Sequence, residues 1–205
     1  MELKDAIEKR RTVRDFQNRI VPESILDYAI GNGFKAPTYN HQREWDFIVI
    51  NKLETKLQLI EAEQLNKPVD SHKLEKIFEN EESIMKAMYL DAIPKQHKMI
   101  LEAPTVVVVV YRPKVRVEDA KRIYDLNCLA SVWACIENLL LSLAEHEVYG
   151  VTFIPQHINV IKAKLGIPDK LEIACIIPVG YKAEGSGMLK QKSVNIYERM
   201  HKEKW

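Results

Sequence analysis

The chain has 205 residues, 46% of them hydrophobic, and its 30 basic and 29 acidic side chains leave a formal net charge of +1. That length suits one globular domain, residues 1–205, with a sizeable core. A charge so near zero excludes a protein built mainly to coat nucleic acid or an anionic membrane, so any anion site must be local.

The start of the chain is charged and lacks the apolar core of a signal peptide, so a cytoplasmic protein is expected. Leu3, Ala6 and Ile7 recur at helical spacing and predict a helix over 3–9 with those three on one face. Its end delivers Arg10-Arg11-Thr12-Val13-Arg14-Asp15-Phe16 into a loop. Pro22 opens a second helix through about residue 34, with Ile25, Leu26, Ala29 and Ile30 inward, and Pro37 stops it. The aromatic and β-branched run 45–50 predicts a buried strand. Helices are predicted over 53–65 and 71–89. The stripe Leu74, Ile77, Phe78, Ile84, Met85, Met88 in the second reads as core or subunit contact, with a lid over a pocket as the alternative.

The five valines and Tyr111 within 105–111 predict a central strand covered on both faces. A helix over 125–145 is apolar almost all round, yet Asn127, Ser131, Glu137, Asn138 and Ser142 interrupt it, which favours a core helix and oligomer contact over a membrane span. A strand is predicted over 148–154, a helix over 156–165 with Gly166 at its C-cap, and a strand over 171–179 turning out at 180–181. Helices and strands without regular βαβ alternation imply an α+β architecture. In the tail, 185–205, Val194, Ile196, Tyr197 and Met200 have no core of their own, and a partner subunit would cover them.

Cys128, Cys135 and Cys175 form no CxxC pair, so neither a disulfide framework nor a zinc pattern is expected. The six histidines lack an HExxH spacing, and no metal site is expected. Three guanidiniums and a hydroxyl within 10–14 should repel unless an anion offsets them, and the planar guanidinium pairs bidentately with phosphate. Basic runs are most often solvated surface. A second stretch argues otherwise: Ala36-Pro37-Thr38-Tyr39-Asn40-His41-Gln42-Arg43-Glu44-Trp45 leads straight into the first strand.

Together these two stretches resemble the FMN-dependent nitroreductases, which carry an RRSVRxF-like signature followed by an AP[ST]xxNxQPW-like loop before a strand. The resemblance extends to the apolar central helix, the strand ending near Ile154, the LGIP turn at 165–168, the IIPVGY strand end and a basic tail. It implies a central, mostly antiparallel sheet flanked by helices, and an intertwined homodimer with FMN at the interface. The 185–205 tail would then be an extension packing on the partner.

By the same resemblance Arg10, Arg11, Thr12 and Arg14 would hold the FMN phosphate and ribityl chain, with Lys190 or Lys192 reaching the phosphate from the tail. Pro37, Thr38, Tyr39, Asn40 and Gln42 would approach the flavin from the other subunit. Thr152, Phe153, Ile154 and Pro155 would lie along the isoalloxazine, the Ile154 N–H aimed at N5. The flavin carries the chemistry, so no catalytic side chain is assigned. Two departures stand out: Arg43-Glu44 replaces the single proline before Trp45, and Ile154 stands where several members carry an acid.

Two functions follow. In the first, an FMN oxidoreductase takes hydride from NAD(P)H and reduces a small-molecule electron acceptor, a nitroaromatic, quinone or similar compound, by ping-pong transfer. In the second, a flavin- or phosphate-ligand-binding protein senses without turnover. A nucleic-acid ligand is disfavoured because no aromatic-rich basic face is present.

Overall fold

The computed structural model describes residues 2–187, 189 and 191–205. Among them four strands, β1 (Trp45–Ile50), β2 (Thr105–Tyr111), β3 (Val148–Gly150) and β4 (Glu172–Tyr181), form one sheet in the order β1-β2-β4-β3. Every neighbouring pair is antiparallel. With eight α-helices around it among the described residues, this is an α+β fold.

The valine run of β2 explains the layering. Successive strand side chains point to opposite faces, so Val107, Val109 and Tyr111 enter one apolar cluster and Val106, Val108 and Val110 the other. The first cluster is closed by α2 (Glu23–Gly33) and α7 (Asn127–Glu145), whose Val132, Cys135, Ile136, Leu139 and Leu143 are buried. Ile123–Glu145 is long and apolar enough to cross a membrane, but here that apolar face packs on the sheet. The second cluster is closed by α3 (Leu53–Ala62), α6 (Gln96–Glu102) and α8 (Ile158–Leu165). Gly166 ends α8 at φ 66°, in the left-handed conformation that glycine adopts without steric cost.

Several boundaries differ from the sequence reading. The helix α1 (Leu3–Lys9) forms, but none of its residues is buried, and Leu3 and Ile7 stay exposed. The predicted 71–89 helix is two, α4 (Ser71–Ile77) and α5 (Ser83–Ala92), broken at the acidic run around Asn80. Asp70 caps α4 by accepting from the Lys73 amide at 3.1 Å, and Phe78 stacks on Tyr89 at 4.3 Å across the break. The short α6 has no strong period in the sequence, yet it buries Met99 and Ile100.

The strand predicted over 148–154 leaves the ladder after Gly150. Continuing its register would set residue 151 opposite Pro178, which has no N–H to donate. Pairing resumes once, at Phe153 with Ile176. At the other end, β4 runs on to Tyr181 because Gly180 and Tyr181 pair with Tyr149 and Val148.

Candidate functional site

After α1 the chain runs along the open side of β3 and β4. Thr12 bridges Gly150 in parallel, Phe16 bridges Lys182, and the Gln17 amide donates to the Tyr181 carbonyl at 2.9 Å. Val13 and Phe16 turn inward and are buried. Arg10, Arg11, Thr12 and Arg14 are thereby left at or near the surface in one row.

Their charges are offset unevenly. Arg10 Nε lies 3.2 Å from Glu137, and Arg14 Nη1 lies 3.2 Å from Asp91. Arg11 donates to the Arg10 carbonyl at 2.8 Å and has no carboxylate partner among the described residues. Asp91 is shared: Lys95 reaches it at 2.6 Å and also reaches Asp15 at 2.7 Å. Burial by itself pushes the Lys95 ammonium down, but the Asp15 and Asp91 carboxylates outweigh it and hold the group above the usual lysine range.

Two clefts meet at this row. One, of about 170 Å³, is lined by Arg10, Arg11, Thr12, Trp133, Tyr149 and Thr152 among others. The other, of about 430 Å³, is lined by Arg11, Thr12, Arg14, Met85, Met88 and Lys192 among others. Arg11 and Thr12 belong to both. Ile84, Met85 and Met88 of α5 wall the larger cleft. Lys192 pairs with Glu82 at 2.6 Å at the start of α5, and Asp91 ties down its end. Lys190 lies outside the described residues.

The segment 152–155 is only partly turned to this surface. Thr152 lines the smaller cleft. Phe153 does not line it: the ring is buried in the second cluster, and both its N–H and C=O pair with Ile176 at 2.8 Å. Ile154 is 48% exposed, and neither of its backbone polar groups is paired among the described residues. Pro155 is buried.

The 37–42 loop is elsewhere. Its turn Tyr39–His41 holds Asn40 at φ 48° and His41 at φ 55°, left-handed values that Asn and His tolerate better than bulky residues. The Tyr39 amide donates to Ser131 Oγ at 2.9 Å, and the Tyr39 and Tyr124 hydroxyls are hydrogen-bonded with their rings edge to face. Tyr39 and Gln42 line a small crevice with Cys128 and Ser131 that shares no lining residue with the two clefts. Thr38 Oγ1 and Trp45 Nε1 are buried without a hydrogen-bond partner among the described residues. Pro37 and Asn40 are exposed. One chain therefore does not bring this loop to the arginine row.

The sequence reading missed Glu137 and Asp91 as the acids that answer the arginine row, and Glu82 as the partner of Lys192. Only tertiary contact reveals them, since Arg14 and Asp91 are 77 residues apart.

A family model described as Nitroreductase family matches residues 7–181, from within α1 to the end of β4. An iodotyrosine deiodinase of Haliscomenobacter hydrossis is 25% identical over 185 residues, covering 88% of this chain and 79% of the relative. A putative NADH dehydrogenase/NAD(P)H nitroreductase of Methanothermobacter thermautotrophicus is 25% identical over 212 residues, covering 100% of this chain and 88% of the relative. Among solved structures, an oxidised iodotyrosine deiodinase bound to FMN and 3-iodo-L-tyrosine matches with a TM-score of 0.72 at 22% identity, over 95% of this chain and 97% of that one.

Proposed function

Because the chain belongs to the nitroreductase family of flavoprotein oxidoreductases, we propose that it is an FMN-dependent enzyme, acting as a homodimer, that takes reducing equivalents from NAD(P)H and passes them to a small-molecule acceptor. The observation that carries this reading is the Arg11–Thr12 pair, common to both clefts, with a guanidinium that no carboxylate answers among the described residues. That donor set suits a phosphate monoester, because guanidinium and hydroxyl offer several N–H and O–H donors to a dianion. FMN would supply the hydride chemistry, and the protein supplies binding, orientation and electrostatics.

In this reading Arg10, Arg11, Thr12 and Arg14 anchor the phosphate end, and Lys192 adds charge from the tail. Thr152 and the Ile154 amide serve the ring end. Met85 and Met88 form the apolar wall that keeps water from the larger cleft. The 37–42 loop of the partner subunit completes the site, which accounts for its separation from the arginine row within one chain. Asn40 and Gln42 offer amide donors and acceptors for the ribityl and pyrimidine portions.

The acceptor class has two readings. Nitroaromatics and quinones follow from the family and from the nitroreductase-named relative. Reductive removal of halogen from an aromatic amino acid is favoured by the deiodinase relative, which aligns over 88% of this chain. The deciding experiment is the absorbance spectrum of the purified protein before and after anaerobic NADPH or NADH, followed by a nitroaromatic, a quinone and 3-iodo-L-tyrosine in parallel. Yellow protein that bleaches and is reoxidised by one class identifies the acceptor. Bound FMN that neither nucleotide reduces favours the sensing alternative, and failure to bind FMN removes the flavin reading.

A further inference from the structure

A buried acid at the end of α3 is hydrogen-bonded to the backbone just beyond Ile154. The helix stops at Ala62, and the turn beyond it sets Gln64 at φ 56°, a left-handed value uncommon outside glycine. The Leu65 amide closes that turn on the Ile60 carbonyl at 3.0 Å. Glu63 lies inside this turn with its side chain only 2% exposed.

Its two oxygens accept from the Gln156 amide at 2.8 Å and the His157 amide at 2.7 Å. The His157 ring stands 3.7 Å from the same carboxylate, while its other nitrogen lies 3.2 Å from the Gln64 side-chain amide. A buried carboxyl group is costly unless its oxygens are hydrogen-bonded, so these two amides define where Glu63 can sit, and it defines where they can sit.

The other side of Ile154 is fixed as firmly. Phe153 is bound to Ile176 through both backbone polar groups at 2.8 Å, with its ring in the core. Between the two anchors lie only Ile154 and Pro155, and the proline ring fixes its own φ. The result is an exposed residue whose N–H is unpaired among the described residues, on a backbone held from both ends. A donor fixed in advance loses little freedom when it meets an acceptor.

We infer that Glu63 is a positioning residue for the flavin: through the Gln156 and His157 amides it holds the Ile154 N–H in place as the donor to the isoalloxazine N5. This rests on the flavin reading above. Glu63 acts through the backbone, and a role confined to capping α8 would alter stability while leaving the flavin nitrogen unchanged.

The test uses FMN isotopically labelled at N5, bound to the wild-type chain and to Glu63→Gln and Glu63→Ala, with flavin content measured in each. A ring nitrogen that accepts a hydrogen bond resonates upfield of one that does not. The expected result is an upfield N5 signal in wild type, a downfield shift in Glu63→Ala, and an intermediate position in Glu63→Gln, which keeps one acceptor oxygen, all at equal FMN occupancy. An N5 signal in the same place in all three overturns the inference, as does a wild-type signal at the unbonded position. If Glu63→Ala does not fold, Glu63→Gln and wild type decide between the same outcomes. A wild-type chain that binds no FMN overturns the flavin reading and this inference with it, whereas bound FMN with an unmoved N5 overturns this inference alone.

Discussion

Asp91 Oδ2 lies 3.2 Å from Arg14 Nη1, while the other oxygen of the same carboxylate lies 2.6 Å from Lys95. An internal anion thus occupies the guanidinium that the sequence assigns to a phosphate. Arg14 is only 13% exposed, so the pair is neither a free surface bridge nor a fully buried one.

The two anions compete for Arg14. Replacing Asp91 by Asn should lower the unfolding free energy of the FMN-free protein by about 1–2 kcal/mol, since Arg14 and Lys95 lose a shared partner in a half-buried place. The same change removes a negative charge beside the proposed phosphate and should tighten FMN binding by about 1 kcal/mol, roughly fivefold. Urea unfolding and FMN fluorescence titration read the two effects separately. Weaker FMN binding in Asp91→Asn would show that Asp91 orients Arg14 for the phosphate instead of opposing it.

Arg11 is the cleaner probe of the anion site because no carboxylate pairs with it among the described residues. Arg11→Ala should weaken FMN by about 2–3 kcal/mol if it makes a charge-assisted contact. Stability without FMN should stay within about 0.5 kcal/mol, as for surface changes that break no network. Arg10→Ala and Arg14→Ala should affect both quantities, because each also strips an acid, Glu137 or Asp91, of its partner. Isothermal titration and thermal unfolding of the three variants make the comparison. Equal FMN affinity in wild type and Arg11→Ala would return Arg11 to solvated surface.

What could be read from the sequence was what local pattern dictates. The valine run of β2, the αL glycine after α8 and the helix leading into the arginine row are each set by residues a few positions apart. The break at 78–82 and the interruption of β3 were not legible, because the latter depends on Pro178, a residue on another strand. The acids that answer the arginines, and Glu63 behind Ile154, lie dozens of residues from their partners and carry no motif. The spacing of α1 showed which face wants cover, Leu3 and Ile7, but amphipathic spacing does not tell which molecule provides it.

Gly150 is where the arginine row is fastened to the sheet, and its close surroundings make it a sensitive position. A Cβ there would stand 2.9 Å from Ile177 Cγ2 and 3.1 Å from the Pro178 carbonyl oxygen. Gly150→Ala should therefore destabilise the fold by about 1–3 kcal/mol through overpacking. It should also displace the Thr12 bridge, which pairs with Gly150 itself. FMN content should fall further than stability alone requires. Thermal unfolding together with the flavin-to-protein ratio checks this, and an alanine variant of wild-type stability would mean that Ile177 yields without cost.

The last prediction is that the flavin site exists only in a dimer. Within one chain Val194, Ile196, Tyr197 and Met200 are 60%, 62%, 77% and 53% exposed, too many large apolar groups for a settled tail. Leu3 and Ile7 of α1 are uncovered as well, and Leu129, Trp133 and Leu140 of α7 are only partly buried. A second copy would cover these surfaces, and an obligate interface of this kind usually buries about 2,000 Å² or more. If the 37–42 loop, which lies apart from Arg11 and Thr12 in one chain, meets them across the dimer, cofactor affinity depends on association. Deleting the chain after Gly187 should lower both dimer stability and FMN content, and diluting the intact protein should release FMN in step with monomer formation. Sedimentation equilibrium read by flavin absorbance follows both at once. A monomer at micromolar concentration with stoichiometric FMN, or a truncated chain that keeps dimer and flavin together, would assign the whole site to one subunit.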